Sequence, residues 1–349
     1  MRFLPFHDIR QHKRVVVVDS RHPLALMLSH WRGAQNPTGL EDDTSTGIVL
    51  NAIRTRHDSL SYDWVSNNHF DIDGFLGVWA MLYPEKALVH ESTLREAALI
   101  GDFREYNPAR EGADAALKLV CWINHLEKTH FYQPFGEKDE ARSCVPKYHY
   151  FLHRLAAFLD EPTRFEADWQ EEYQMIQTHC QQLTRSEIDT DIRLLRVEAK
   201  EPLHYYALFG QSREADMVLS QYSGNRYELE YTYTSWVDTA HRLHFPRLHF
   251  DPLAQQFNQL EENGCWVGDS IMDTGPQLRL ERKGDQLSKA ARYAHPFERE
   301  IHASSINPTT FAKMIRDFYH EKLAFLSPMR KWTWAAMRSA NEKVAKRMD

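Results

Sequence analysis

Apolar and polar positions follow two rhythms along this chain. The run Val15-Val16-Val17-Val18 in "RVVVVDS" (14–20) is continuous and β-branched, which predicts a strand buried on both faces. "PLALMLSHW" (23–31) reads as a second apolar element. In "DDTSTGIVLNAIRTR" (42–56), Asp, Ser and Thr precede Ile48, Val49, Leu50 and Ile53, the signature of a capped helix. "YDWVSNN" (62–68) then reads as a strand, "FLGVWAML" (75–82) as a helix and Pro84 as a stop. "KALVHES" (86–92) reads as another strand and "TLREAALIGDF" (93–103) as a helix. Such alternation predicts an α/β layered domain with a mainly parallel sheet.

From about residue 112 to 200 the period turns helical, in "ADAALKLVCWINHLEK", "YHYFLHRLAAFLDE" and "FEADWQEEYQMIQTHCQQL". Beyond 200 the texture changes again. "NRYELEYTYTSWV" (225–237) alternates strictly and predicts a strand with one face exposed. "DPLAQQFNQLEE" (251–262) and "NPTTFAKMIRDFY" (307–319) each open on a capping residue followed by proline, so each predicts a helix. "CWVGDSIMDTGPQLRLE" (265–281) predicts two strands joined by a turn. The expectation is an α/β domain over 1–205 and an α+β domain over 206–349.

Charge narrows the function classes. A net charge of −7 gives no global basic field for nucleic acid or anionic lipid, leaving only local patches such as Arg330, Lys331 and Arg338 beside Trp332 and Trp334. Cys121, Cys144, Cys180 and Cys265 form no C-x-x-C pair, so reduced buried thiols are expected rather than a disulfide frame or a zinc site. The N-terminal "MRFLPFHDIRQHKR" lacks a signal-peptide apolar stretch, and no run of about 18 apolar residues occurs. A cytoplasmic, soluble protein without a membrane partner is expected.

The chemistry concentrates in "SNNHFDIDG" (66–74), where a strand gives way to a helix. In extended backbone, His69, Asp71 and Asp73 would face one way, with Phe70 and Ile72 facing the other. Gly74 would let the chain turn sharply into the helix. Two neighbouring carboxylates repel unless a proton or cation lies between them, and a divalent metal resolves the conflict. Mostly oxygen ligation softened by one imidazole suits Mn²⁺, with Mg²⁺, Fe²⁺ or Zn²⁺ as rivals. Asp-x-Asp-Gly is also ordinary turn chemistry. His90, at the end of the strand read over 86–90, and Asp102, beside Gly101, are the further ligands considered.

"HFDIDG" resembles the first motif of the DHH phosphoesterase superfamily over about ten residues. That resemblance implies hydrolysis of phosphodiesters or phosphoanhydrides with Mn²⁺ or Mg²⁺, with His69, Asp71 and Asp73 as ligands and Asp71 and Asp73 as catalytic residues. The superfamily's Asp-His-His triplet is absent, the nearest spacing being Asp238-Thr-Ala-His241, and so is its glycine-rich C-terminal motif. "DTSTGI", "HFDIDG" and "GDF" together look like an uncharacterised bacterial family over much of the chain.

Other positions carry less. Asp42 and Asp43 before Thr44, Ser45 and Thr46 would either cap a helix or present N–H groups to an anion. His149 and His153 lie four apart in a helix that reads more simply as packed, and His241, His244 and His249 straddle Pro246 without a common face. P-loop, Rossmann, G-x-S-x-G and H-E-x-x-H motifs are absent. The reading is a metal-dependent hydrolase of a small phosphorylated or nucleotide-like substrate. A phosphate- or nucleotide-binding regulatory protein without turnover is the alternative, and a metal-dependent enzyme of another reaction type is a third.

Overall fold

The computed structural model describes residues 1–131, 140–269, 275–282, 284, 292 and 294–345. Its contacts divide the chain into two units: Met1–Met175 with Asp238–His241, and Ile176–Val237 with Arg242–Asp349. The break read from sequence texture near 205 lies inside the second unit.

The first unit holds a fully parallel sheet of β1 (Arg2–Phe3), β2 (Val15–Val18), β3 (Leu26–Leu28) and β4 (Trp64–Ser66), in the order β1-β4-β2-β3. All four valines of β2 are buried, as expected of a central strand flanked on both edges. Helix α1 (Ser45–Arg54) packs on α2 (Ile72–Leu82), and α2 packs on α4 (Glu91–Phe103). Between them, α3 (Pro84–Val89) replaces the strand expected over 86–92. Pro84 stops α2, which ends at Leu82, as expected, and also stands at the first position of α3, where its missing N–H costs nothing. His90 is therefore a helix junction residue, not a strand end.

The helical run continues through α5 (Ala113–Phe131), α6 (Glu140–Ser143), α7 (Val145–Leu152), α8 (Leu155–Asp160) and α9 (Glu166–Gln182). It ends there, not at 200. Residues 183–199 form an antiparallel pair, β5 (Leu183–Asp189) and β6 (Leu194–Ala199).

These two strands open the second unit's six-stranded mixed sheet, which adds β7 (Met217–Tyr222), β8 (Arg226–Tyr231), β9 (Cys265–Gly268) and β10 (Leu278–Glu281) in the order β5-β6-β7-β8-β10-β9. Only β6 and β7 run parallel, connected through the short α10 (Tyr205–Phe209). Further helices among the described residues are α11 (Asp251–Asn258), α12 (Pro308–Leu323) and α13 (Trp334–Ala345). Phe311, Ile315, Phe318 and Tyr319 of α12 share one core with Tyr227, Leu229 and Tyr231 of β8. The alternate residues Glu228 and Glu230 are buried too, so β8 has no exposed face. Alternation there marks polarity, not solvent. The turn expected between β9 and β10 falls partly outside the described residues. The four cysteines are free thiols, with Cys265 exposed rather than buried. Among the described residues no helix is long and apolar enough to cross a membrane.

Candidate metal centre

Three carboxyl-terminal strand ends meet in one place. Asp19 follows β2 directly, His30 lies two residues past β3, and Asn67 to Asp73 lead from β4 into α2. In parallel α/β sheets this edge is where ligands bind. The backbone at Asp19 is left-handed, with φ 49°, a conformation that aspartate tolerates better than most residues.

His69, Asp71 and Asp73 do converge here, but not by strand alternation. Asp71 is the N-cap of α2: its Oδ1 accepts from Gly74 N at 2.8 Å, and its Oδ2 lies 2.9 Å from His69 Nε2. Asp73 sits inside the first helical turn and points toward α1, where its two carboxylate oxygens accept from the backbone N–H groups of Ser45 and Thr46 at 2.7 Å each. The N-terminus of α1 thus meets an anion supplied by the chain itself. Thr44 caps that helix, accepting from Gly47 N, while Asp42 pairs with Arg95 and Asp43 accepts from the N–H groups of Ala240 and His241. Gly74 is helical, without a sharp turn. Its lack of a side chain serves space: a Cβ there would stand 2.0 Å from Asn67 Nδ2, 3.0 Å from Asp71 Oδ1 and 3.1 Å from Asp19 Oδ2.

Asp19 joins the parts. One of its oxygens lies 3.1 Å from His30 Nε2 and also accepts from Ser45 Oγ at 2.7 Å, while the other lies 3.2 Å from His69 Nε2. His30 Nε2 is also 3.0 Å from Asp102 Oδ2 and 3.6 Å from Asp73 Oδ2. Asp102 reaches the cluster because Gly101 lets α4 close onto Ile72, where any Cβ would come within 2.8 Å of the isoleucine Cβ. His90 goes elsewhere: its Nε2 faces Asp160 at 3.8 Å. Nor do the other histidines join. His149 packs edge-on to Phe3, and His244 ring nitrogens approach the carbonyls of Phe245 and Arg330. Trp332 is buried, donating to the His244 carbonyl.

Two overlapping sets of donor atoms result, Asp19–His69–Asp71 and Asp19–His30–Asp73, each with ligand atoms within 4.8 Å of one another. The imidazole orientations suit metal ligation. His30 Nδ1 lies 2.7 Å from the Asp43 carbonyl, which can only accept, so Nδ1 carries the hydrogen and Nε2 faces the carboxylates. His69 repeats the arrangement with Asn68 Oδ1 at 2.7 Å. An outer hydrogen bond that fixes the tautomer and leaves the other nitrogen inward is the usual support of a ligating histidine.

Without a cation, protons must do the neutralising. Burial works against charge on both imidazoles, yet the facing carboxylates raise His30 and His69 well above the ordinary histidine range. Burial, then the charges of Asp102 and Asp19, raises Asp73 well above the carboxylate range. Asp102 is pushed up to about 6, chiefly by burial, with His30 opposing. Asp19 alone moves down: burial raises it, but the hydrogen bonds of His30 and His69 prevail. Four carboxylates and two neutral imidazoles carry four negative charges, which two divalent cations would cancel. Asp19, His30 and Asp73 are buried, while the side chains of Asp71, His69 and Asp102 are 41%, 18% and 13% exposed, so the cluster opens to solvent on that side.

Asp19 and His30 were not singled out by motif. Asp19 carried a readable signal, a carboxylate ending a fully apolar β-branched strand. His30 carried none, since its ring reaches the centre only through the fold around β3.

No curated protein and no solved structure matches the chain significantly. The profile of the family described as "Family of unknown function (DUF6687)" matches residues 1–330, nearly the whole chain, and the protein belongs to that family.

Proposed function

We propose that this protein is a metal-dependent hydrolase of phosphoester or phosphoanhydride bonds, acting on a small phosphorylated or nucleotide-like substrate with Mn²⁺ or Mg²⁺. One observation carries the reading: Asp19 turns one carboxylate oxygen to each of two donor sets that share it, the arrangement expected of a carboxylate bridging two cations. His69 and Asp71 complete one set, His30 and Asp73 the other, with Asp102 beside His30. Carboxylate-rich ligation with one imidazole per set suits Mn²⁺ well and tolerates Mg²⁺ less readily at the nitrogens. A cation pair there would supply Lewis-acid polarisation of a phosphoryl oxygen and acidify a bound water.

The chain's own groups do the rest. Asp73 is held by two backbone N–H groups, so its carboxylate is pre-oriented. Asp43 and Asn68 hold the two histidine tautomers. The half-exposed Asp71 is the member best placed to meet substrate. The likeness of "HFDIDG" to the first DHH phosphoesterase motif agrees with this chemistry.

Calorimetry tests the metal half: Mn²⁺ should bind the wild type much more tightly than the Asp71→Ala, Asp73→Ala double variant, and equal affinities would refute the centre. Mn²⁺-dependent turnover of a panel of phosphodiesters, cyclic dinucleotides and pyrophosphate tests the reaction. The missing Asp-His-His triplet favours a second reading, a phosphate- or nucleotide-binding regulatory protein; binding of a panel member without turnover would support it.

A further inference from the structure

Two buried polar atoms beside the centre have no hydrogen-bond partner. Asn67, fully buried at the end of β4, accepts from Asn68 N through Oδ1 at 2.6 Å. A backbone N–H only donates, so this contact fixes the amide and turns Nδ2 the other way. Nδ2 has no acceptor there. It overhangs the bare Cα of Gly74, in the same small volume as Asp71 Oδ1 and Asp19 Oδ2.

The second atom is the Tyr148 hydroxyl, carried by α7. Its ring is fully buried, stacked on Phe3 at 4.6 Å and edge-on to Phe70 at 5.3 Å. The hydroxyl lies close enough to Asn67 for the two side chains to interact with each other, and close enough to Asp71 and Asp19 to feel both charges, yet their mutual approach falls short of hydrogen-bond geometry and no other partner meets either atom. A buried polar group left unpaired costs about 1–3 kcal/mol, and two neighbouring ones in a packed interior call for an occupant.

We infer that Asn67 and Tyr148 are positioning residues for a water molecule on the Asp19–Asp71 side of the centre. Asn67 Nδ2 and the Tyr148 hydroxyl each donate to the water oxygen. The inference rests on the metal-centre reading above. In a hydrolytic reaction this is the water whose oxygen must be aimed, and a fixed donor beneath it favours the hydroxide form over neutral water. Neither residue would ligate the cation.

The test uses the full-length protein loaded with Co²⁺, whose visible absorption reports ionisation of a bound water. Asn67→Leu keeps the volume and removes the donor; Tyr148→Phe removes one oxygen from a ring that stays packed. Each variant should raise the midpoint of the absorbance titration by about one pH unit, the consequence of losing one hydrogen bond to a charged oxygen, while Co²⁺ affinity changes less than about threefold. A midpoint unmoved in a folded Tyr148→Phe protein overturns the assignment even if Asn67→Leu does not fold. A loss of Co²⁺ affinity as large as that of Asp71→Ala also overturns it, by making Asn67 or Tyr148 a ligand. If the wild type binds no Co²⁺, the metal reading fails, an outcome distinct from a centre that loads but does not respond.

Discussion

The Asp19 cluster of the first unit and the acids of the second handle charge in opposite ways. In the second, the buried Glu228 and Asp216 and the half-buried Asp269 each face a guanidinium. Glu228 takes Arg299 through both oxygens at 3.0 and 2.7 Å, Asp216 takes Arg193 at 2.9 Å, and Asp269 takes Arg279 at 2.6 Å and Arg292 at 2.5 Å. In the first, Asp19, Asp71, Asp73 and Asp102 meet two imidazoles, and among the described residues no Arg or Lys ion pair reaches any of them. A carboxylate with a fixed guanidinium is finished: its desolvation is offset within the chain. The four acids of the cluster have no such fixed countercharge, unlike Glu96 of the same unit, which faces Arg110 at 2.8 Å. Buried polar groups alone do not mark a site; the missing permanent countercharge does.

This contrast can be broken by experiment. Arg299→Met should have the largest effect on folding, about 3–5 kcal/mol in urea denaturation, because it strands Glu228 in the interior. Its Mn²⁺ affinity should be unchanged, and a parallel loss of affinity would erase the distinction. Asp19→Asn should do the reverse, weakening Mn²⁺ binding at least about 100-fold by calorimetry, since ligand loss exceeds the 10–100-fold typical of outer-shell changes. The metal-free variant should also melt lower than the wild type, though by less than Arg299→Met, because Asp19 is the one acid of the cluster whose charge the fold stabilises, through His30 and His69; an unchanged melt would mean that those imidazoles do not neutralise it.

Acidity should act on the same affinity. Asp102, raised to about 6, and the raised imidazoles must shed protons before a cation can bind, so affinity rises with pH through these values and falls below them. Each displaced proton contributes about tenfold per pH unit, measurable as Mn²⁺ titrations between pH 5.5 and 7.5. Flat affinity over that window would mean that protons and metal do not compete. His90→Ala should change Mn²⁺ affinity by less than about twofold, since its ring faces Asp160.

Much of this was legible from sequence, for local reasons. The four valines of β2, the capped start of α1 and the strand-to-helix step at "HFDIDG" are short-range patterns, and each stands as read. The failures arose where one residue type serves two purposes. Proline both ends and begins helices, and Pro84 does both, so the stop it signals after α2 hides the helix it opens as α3. Alternation in β8 looked half-exposed because Glu228 is polar, and no local pattern announces that Arg299, 71 residues away, will cover it. Asp73 was read as an extended-strand side chain, whereas the helix begins at Ile72 and turns it toward α1. His30 is the extreme case. Its neighbours Ser29 and Trp31 predict nothing, and its role comes wholly from Asp19, Asp102 and the Asp43 carbonyl.

The left-handed backbone at Asp19 limits how this centre could change over time. Glutamate would satisfy a metal equally well by charge, but it enters that conformation at a steric penalty that aspartate and asparagine largely escape. Glycine has no ligand atom and asparagine has no negative charge. The bend in the main chain after β2 therefore favours the shorter of the two acidic letters at position 19, independently of any demand made by a substrate.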